Sequence, residues 1–225
     1  MHDKLTVANS YQKPMGIIQK LNISVSIVDV PFDLSIDKPF DEITEYHHYD
    51  TDYTKELGRA LLWINNIFKE FSGRFYGKTC PVHLYWHSMD LAVARFSGNE
   101  APPTAADARI SDKDVYTYEY ISFGFWPGDK NIPEPVSHSY TFPSPDGLEE
   151  DAIKHSSAEW IHNNGSPMAI LKYKNLLHTG NPKKDLLGFL EATYQTGAKK
   201  ANWNIEAKNL ELYRRDGLRR IERIW

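Results

Sequence analysis

Four polar side chains stand inside runs that are otherwise apolar: His83, Asp90, Arg95 and Glu119. Burying an unpaired charge is expensive, so each must find a partner or border a wet cavity. Arg95 has Asp90 and Glu119 as candidate carboxylate partners, and a carboxylate can orient an imidazole for proton transfer. The chemistry implied is a pocket with His83, Asp90 and Glu119 in catalytic roles. Arg95 would anchor an anionic group there. The competing reading is a buried polar network that fixes strand register. The sequence alone leaves both open.

Aromatic residues crowd the same stretches: Tyr85, Trp86, Phe123, Phe125, Trp126, Tyr140 and Phe142. Such residues line clefts for sugars, nucleobases and other flat ligands, or pair across strands to build a core. Phe125-Trp126-Pro127-Gly128 sets large aromatics directly before a turn, where pocket rims form. The candidate ligand-binding set is therefore Arg95, Trp86, Phe125, Trp126 and Tyr140, and the expected partner is a small anionic or aromatic ligand.

His83 and His87 are four residues apart. On a helix both would reach one metal; on a strand, at ~3.3 Å per residue, they stand about 13 Å apart. The β-forming run VHLYW favours the strand, and nothing brings His47, His48 or His138 close to complete a site. We expect no metal and no cofactor. There is no Gly-x-Ser-x-Gly elbow, no phosphate-cradling glycine loop, and Cys80 lies before Pro81 with no evident base. The acidic clusters Asp41-Glu42 and Glu149-Glu150-Asp151 read as solvated turns.

The elements that must position these groups follow from periodicity. Val7, Tyr11, Met15, Ile18 and Leu21 recur at helical spacing, although Pro14 and Gly16 weaken the pattern. Leu21, Ile23, Val25 and Ile27 then alternate with polar residues, which predicts a half-buried strand. A Pro- and Asp-rich connection leads to a helix over 54–71, capped by Thr51 or Thr54, with Leu57, Leu61, Ile64, Phe68 and Phe71 on one face. Residues 82–96 carry the densest β signal and need a break or bulge near 87–90. Further strands are expected over 115–125 and 137–142, and a hairpin joins 157–162 to 168–173 through Asn164-Gly165. A second long helix spans 183–201. The tail 205–225 is basic and amphipathic, carrying Arg214, Arg215, Arg219, Arg220 and Arg223.

Composition sets the bounds. Hydrophobic residues at 41% and charged residues at 25% exclude a disordered chain or a fibre, and a net charge of -4 gives no general attraction to nucleic acid. A single cysteine excludes an internal disulfide and suits a reducing compartment. No run reaches the ~18 apolar residues of a membrane span and no signal peptide is evident, so a cytoplasmic protein is expected, without membrane or nucleic-acid partners.

Three blocks, GKTCPVHLYWHSMDLAVARFSGNEAPP (77–103), SFGFWPG (122–128) and SHSYTFPSP (137–145), resemble the signature blocks of a bacterial family catalogued only as a domain of unknown function. PFDEITEYHHYD (39–50) and RFYGK (74–78) fit the same pattern, and the resemblance runs from about Val7 to Trp203. It implies Gly where this chain has His87, and usually Ser where it has Cys80, which removes both from any shared active site. It also implies additional N-terminal strands in typical members, so this chain reads as shortened at its start. The resemblance supplies no activity.

The expected architecture is α+β: an antiparallel or mixed sheet of five or more strands with helices packed on one face. Residues 1–203 are expected to form one domain, and 204–225 a basic helical extension. Function is expected to be small-ligand binding, enzymatic or not. The alternative is a non-catalytic scaffold that assembles as a homo-oligomer through an open sheet edge and the basic tail.

Overall fold

A computed structural model of the chain describes residues 6–31, 36–45, 50–163 and 165–208. His47, His48, Asn164 and the arginines of the tail fall outside them. The chain divides into two compact units, residues 1–59 and 60–225.

In the first unit, α1 (Val7–Lys20) starts where the Thr6 hydroxyl accepts from the Asn9 amide at 3.1 Å, a side-chain cap. Ala8 and Ile43 are its buried pair, joined by a 3.0 Å hydrogen bond from the Ala8 amide to the Ile43 carbonyl. Tyr11 packs on Phe40 with ring centroids 5.8 Å apart. The strand expected over 21–28 is a correction. Residues 23–29 are in no regular element, and Leu21, Ile23, Val25, Ile27 and Val28 are exposed. Alternation supplies an apolar edge, but a strand exists only when a neighbour takes its backbone hydrogen bonds. Helix α2 (Thr51–Ser72) begins on Asp50, not on Thr51 or Thr54: the Asp50 carboxylate accepts from the amides of Asp52 and Tyr53, both at 2.9 Å.

The second unit is built on an open six-stranded antiparallel sheet: β1 (His83–Tyr85), β2 (Asp90–Glu100), β3 (Tyr118–Trp126), β4 (Val136–Phe142), β5 (Ala158–Asn163) and β6 (Ser166–Lys172), in the order β1-β2-β3-β4-β6-β5. With α1, α2 and three further helices, α3 (Ile110–Val115), α4 (Tyr173–Leu177) and α5 (Pro182–Lys200), this is the expected α+β class. The break in 82–96 is a full hairpin turn over residues 86–89, with Met89 at φ 54°. The β5–β6 hairpin turns through Gly165, at φ 79°.

Strand parity divides the sheet into two faces. The register Arg95↔Ile121↔Thr141 and Val93↔Phe123↔Ser139 defines the face covered by helices. Phe71 of α2 meets Phe123 edge-on at 4.8 Å. Helix α5 comes so close to β4 at Gly197 that any Cβ there would strike the Thr141 hydroxyl. Leu186, Phe189, Leu190 and Ala198 of α5 are fully buried. The opposite face carries Ala92, Ala94, Tyr120, Ser122, Gly124, His138 and Tyr140. At its β4–β6 end Val136, Met168 and Ile170 form a small apolar cluster beneath Trp126 and Ile132. Among the described residues, no helix is long and apolar enough to cross a membrane.

Candidate functional site

On the face away from α5, between the β1–β2 hairpin and the segment around α3, lies a cleft of about 470 Å³. Its floor is the small side chains Ala92, Ala94 and Ser122. Its walls are aromatic: Tyr85 of β1, Phe96 of β2, Tyr118 and Tyr120 of β3, Tyr140 of β4, and Tyr116 from the α3–β3 connection. The hollow follows from the sequence of β2, where DLAVARF sets alanines between bulkier neighbours. On a pleated strand, two alanines two residues apart leave one gap on one face.

The phenols are a connected set. Besides burial, Tyr140 and Tyr116 both act to raise the Tyr120 pKa, and Tyr120 and Ser122 act on that of Tyr140. The rings of Tyr116 and Tyr120 lie near parallel, 25° apart with centroids at 6.3 Å, and Tyr140 meets Tyr120 edge-on at 6.0 Å. Burial pushes the Tyr120 phenol well above the ordinary tyrosine value and raises that of Tyr140, so at neutral pH both are uncharged donors and acceptors. The cleft carries one basic group, Lys78, whose Nζ rests 4.8 Å from the Phe96 ring centroid and 4.6 Å from that of Tyr118. Cys80 borders the cleft too. Its sulfur accepts from the Ala94 amide at 2.9 Å and burial raises its pKa, the opposite of what a nucleophilic thiolate needs.

Asp90 closes one end. Its carboxylate Oδ1 accepts from Nε2 of His138 at 3.1 Å. The pair spans three strands, since Asp90 lies on β2, His138 on β4, and Gly124 of β3 between them. A Cβ on Gly124 would be 2.7 Å from Oδ1 of Asp90 and would strike the His138 ring, so glycine makes the crossing possible. His138 is buried, and its Nδ1 has no hydrogen-bond partner among the described residues. That nitrogen is turned away from solvent. His138 therefore steers Asp90, and Asp90 is the member of the pair that borders the cleft.

Of the polar and aromatic residues singled out from the sequence, the structure gathers Tyr85, Asp90 and Tyr140 into this cleft and sends the others elsewhere. His83 shares the face, but its ring lies on Tyr85 at 4.4 Å and its Nδ1 is 2.7 Å from the Pro81 carbonyl oxygen. Arg95 points to the opposite face, where it pairs with Glu191 at 3.6 Å and not with Asp90 or Glu119. Parity explains the separation: Arg95 is five residues from Asp90, an odd number, so the two side chains leave β2 on opposite sides. Glu119 accepts from the Asn99 amide nitrogen at 3.1 Å on exposed chain. Phe125 is core, edge-on to Tyr173 at 5.4 Å. Trp126 covers the Val136 cluster, and Trp86 is 84% exposed in the hairpin turn. The sequence reading missed Lys78, Tyr116, Tyr118, Tyr120 and the role of His138. The alternation of Tyr118 and Tyr120 was a signal for the aromatic wall. No local signal joins His138 to Asp90, 48 residues away. Among the described residues, no three His, Cys, Asp or Glu side chains converge as metal ligands would.

Comparison with known proteins gives one match. The model of a family described as a family of unknown function (DUF5996) matches residues 2–210. No curated protein and no solved structure matches the chain.

Proposed function

The chain belongs to the DUF5996 family, whose description carries no activity, and from the geometry we propose that it binds a small flat ligand in the tyrosine-lined cleft. The observation that supports this most is the coincidence, in one hollow of about 470 Å³, of aromatic walls, two carboxylates, Asp90 and Asp114, and a lysine. Pockets for small molecules have this make-up: an apolar lining with a few convergent polar groups that fix orientation. An aromatic or sugar ring would lie against the tyrosines. A donor group on it would meet Asp90, and an acidic substituent would draw Lys78 off the rings of Phe96 and Tyr118.

Binding is favoured over catalysis because the imidazole has its free nitrogen buried. A general base must reach the proton it takes, and Nδ1 of His138 does not face the cleft. The single half-buried thiol accords with a cytoplasmic setting.

The test is a thermal-shift panel of aromatic carboxylates, nucleosides and monosaccharides on the full chain. A ligand at a hundred times its Kd adds about 2.7 kcal/mol of stability, a shift of several degrees for a protein of this size. That shift should shrink in Asp90→Asn and in Lys78→Ala. No shift with any compound, or a shift the same in both variants, would sink the reading.

A further inference from the structure

Behind β2, on the face opposite the tyrosine cleft, a separate cavity of about 370 Å³ is bordered by Arg74, Arg95, Glu191, Tyr194, Gln195 and Lys208 among others. Three of these six are cationic and one is acidic. Arg95 is 2% exposed, one of the largest fully buried side chains among the described residues. Its guanidinium is packed on aromatic rings, with Cζ 3.5 Å from the centroid of Phe71 and 4.5 Å from that of Tyr194. Such packing shields a charge from water without giving it hydrogen-bond acceptors.

Arg95 is only partly satisfied. One terminal nitrogen donates to the Phe71 carbonyl at 2.6 Å. The other stands 3.6 Å from a Glu191 carboxylate oxygen, an ion pair too long for a hydrogen bond, and Glu191 is itself 41% exposed. The Nε–H has no partner among the described residues, and neither does the Tyr194 hydroxyl, on a residue 3% exposed. Two buried donors without acceptors, on adjoining side chains that border one cavity, are a costly arrangement unless something supplies the acceptor. Burial lowers the Arg95 pKa to about 10, which marks the same desolvation.

The rim completes the charge pattern. Lys208 is fixed there by its backbone, since its carbonyl accepts from the Tyr76 amide at 2.8 Å. Arg74, tied to Glu70 at 2.6 Å through one terminal nitrogen, also borders the cavity. Gln195 donates to Glu191 at 2.7 Å and so holds that carboxylate at the edge.

We propose that this cavity is a second ligand site, which takes a compact oxyanion, the phosphate or carboxylate group of a small molecule, on Arg95, Tyr194 and Lys208. The oxyanion accepts from Nε of Arg95 and the Tyr194 hydroxyl, the two buried donors without a partner among the described residues, and Lys208 adds positive charge at the rim. A hydrogen bond from a guanidinium N–H to an oxyanion is charge-assisted and stronger than a neutral one. The two sites lie back to back, with Ala94 facing one and Arg95 the other.

Inorganic phosphate and succinate are the probes, each titrated calorimetrically into the full chain against sodium chloride at matched ionic strength. Saturable binding of one or both is expected, and which one binds assigns the oxyanion. Lys208→Ala, at the surface, and Tyr194→Phe, which keeps the ring on Arg95, should each weaken binding about tenfold, the loss of one hydrogen bond to a charged group. Tyr194→Phe should leave the unliganded protein as stable as before or more so, because it removes a buried hydroxyl without a partner. Heat no greater than that of chloride, or binding of equal strength in wild type and both variants, would overturn the site.

Discussion

Two polar assemblies hang from opposite faces of β2, five residues apart. On the helix-covered face, Arg95 is clamped between aromatic rings, tied to the Phe71 carbonyl and loosely matched by Glu191 on α5. On the other face, Asp90 reaches over a strand to His138 and forms the end wall of a cleft. Each carries a charge-bearing group that the apolar strand pattern disfavours. The first is held by rings against its guanidinium and by the Phe71 carbonyl, with its Nε left without a partner among the described residues. The second is locked from one side only, and its free side borders empty space. Packed between rings, the Arg95 side chain ties helices to sheet by its contacts, whereas Asp90, held from behind by His138, borders an open cleft.

The comparison breaks most visibly at Arg95. Arg95→Ala should cost about 3–4 kcal/mol, because it opens a cavity among Phe71, Phe75 and Tyr194 and strips a donor from the Phe71 carbonyl. Arg95→Met, which restores volume without charge, should recover most of that in a urea titration. If Met is as damaging as Ala, the charge and not the packing holds the layers, and the contrast between the faces fails.

Gly124→Val should be next, at about 2–3 kcal/mol, since a side chain there collides with Asp90 and His138. Its diagnostic is in the His138 NMR signals, which should lose their coupling to Asp90→Asn. An unchanged imidazole spectrum would show that the pair does not need the gap.

The smallest effect is in alkaline solution, where the cleft tyrosines and Arg95 pull in opposite directions, Tyr194 beside Arg95 siding with the tyrosines. The raised phenols of Tyr120 and Tyr140 keep their protons in the folded state above the ordinary value of 10.0, so stability is lost as pH rises beyond it. Arg95, lowered from 12.5 to about 10, releases its proton earlier when folded, so it returns stability over that interval. Between pH 9 and 11, Tyr120→Phe should flatten the decline in urea midpoint and Arg95→Met should steepen it. Parallel curves for both variants would count against the assignment.

Periodicity and turn chemistry made most of the elements legible. The spacing from Val7 to Leu21 matched α1, and the 183–201 pattern matched α5. Asn164-Gly165 marked the hairpin, and the length of 82–96 demanded the turn found at 86–89. The error at 21–28 has the opposite cause: alternation describes one strand, but a strand is a property of two. The candidate site was legible in composition and not in grouping. His83, Asp90, Arg95 and Glu119 were identified as residues needing partners, yet each partner except that of His83 came from a distant element, such as Glu191 on α5 for Arg95. A chain read residue by residue shows which groups need a partner, but not which distant segment the sheet order brings alongside.

Gly124 also bears on how the sheet finds its alignment. Asp90 and His138 can meet only if the middle strand presents nothing beneath them. Sliding β3 by one residue would put Phe123 or Phe125 there, and sliding it by two would put Ser122 or Trp126 there. The absent side chain thus works as a keyhole, and the imidazole–carboxylate pair as the key that closes only when three strands are in step.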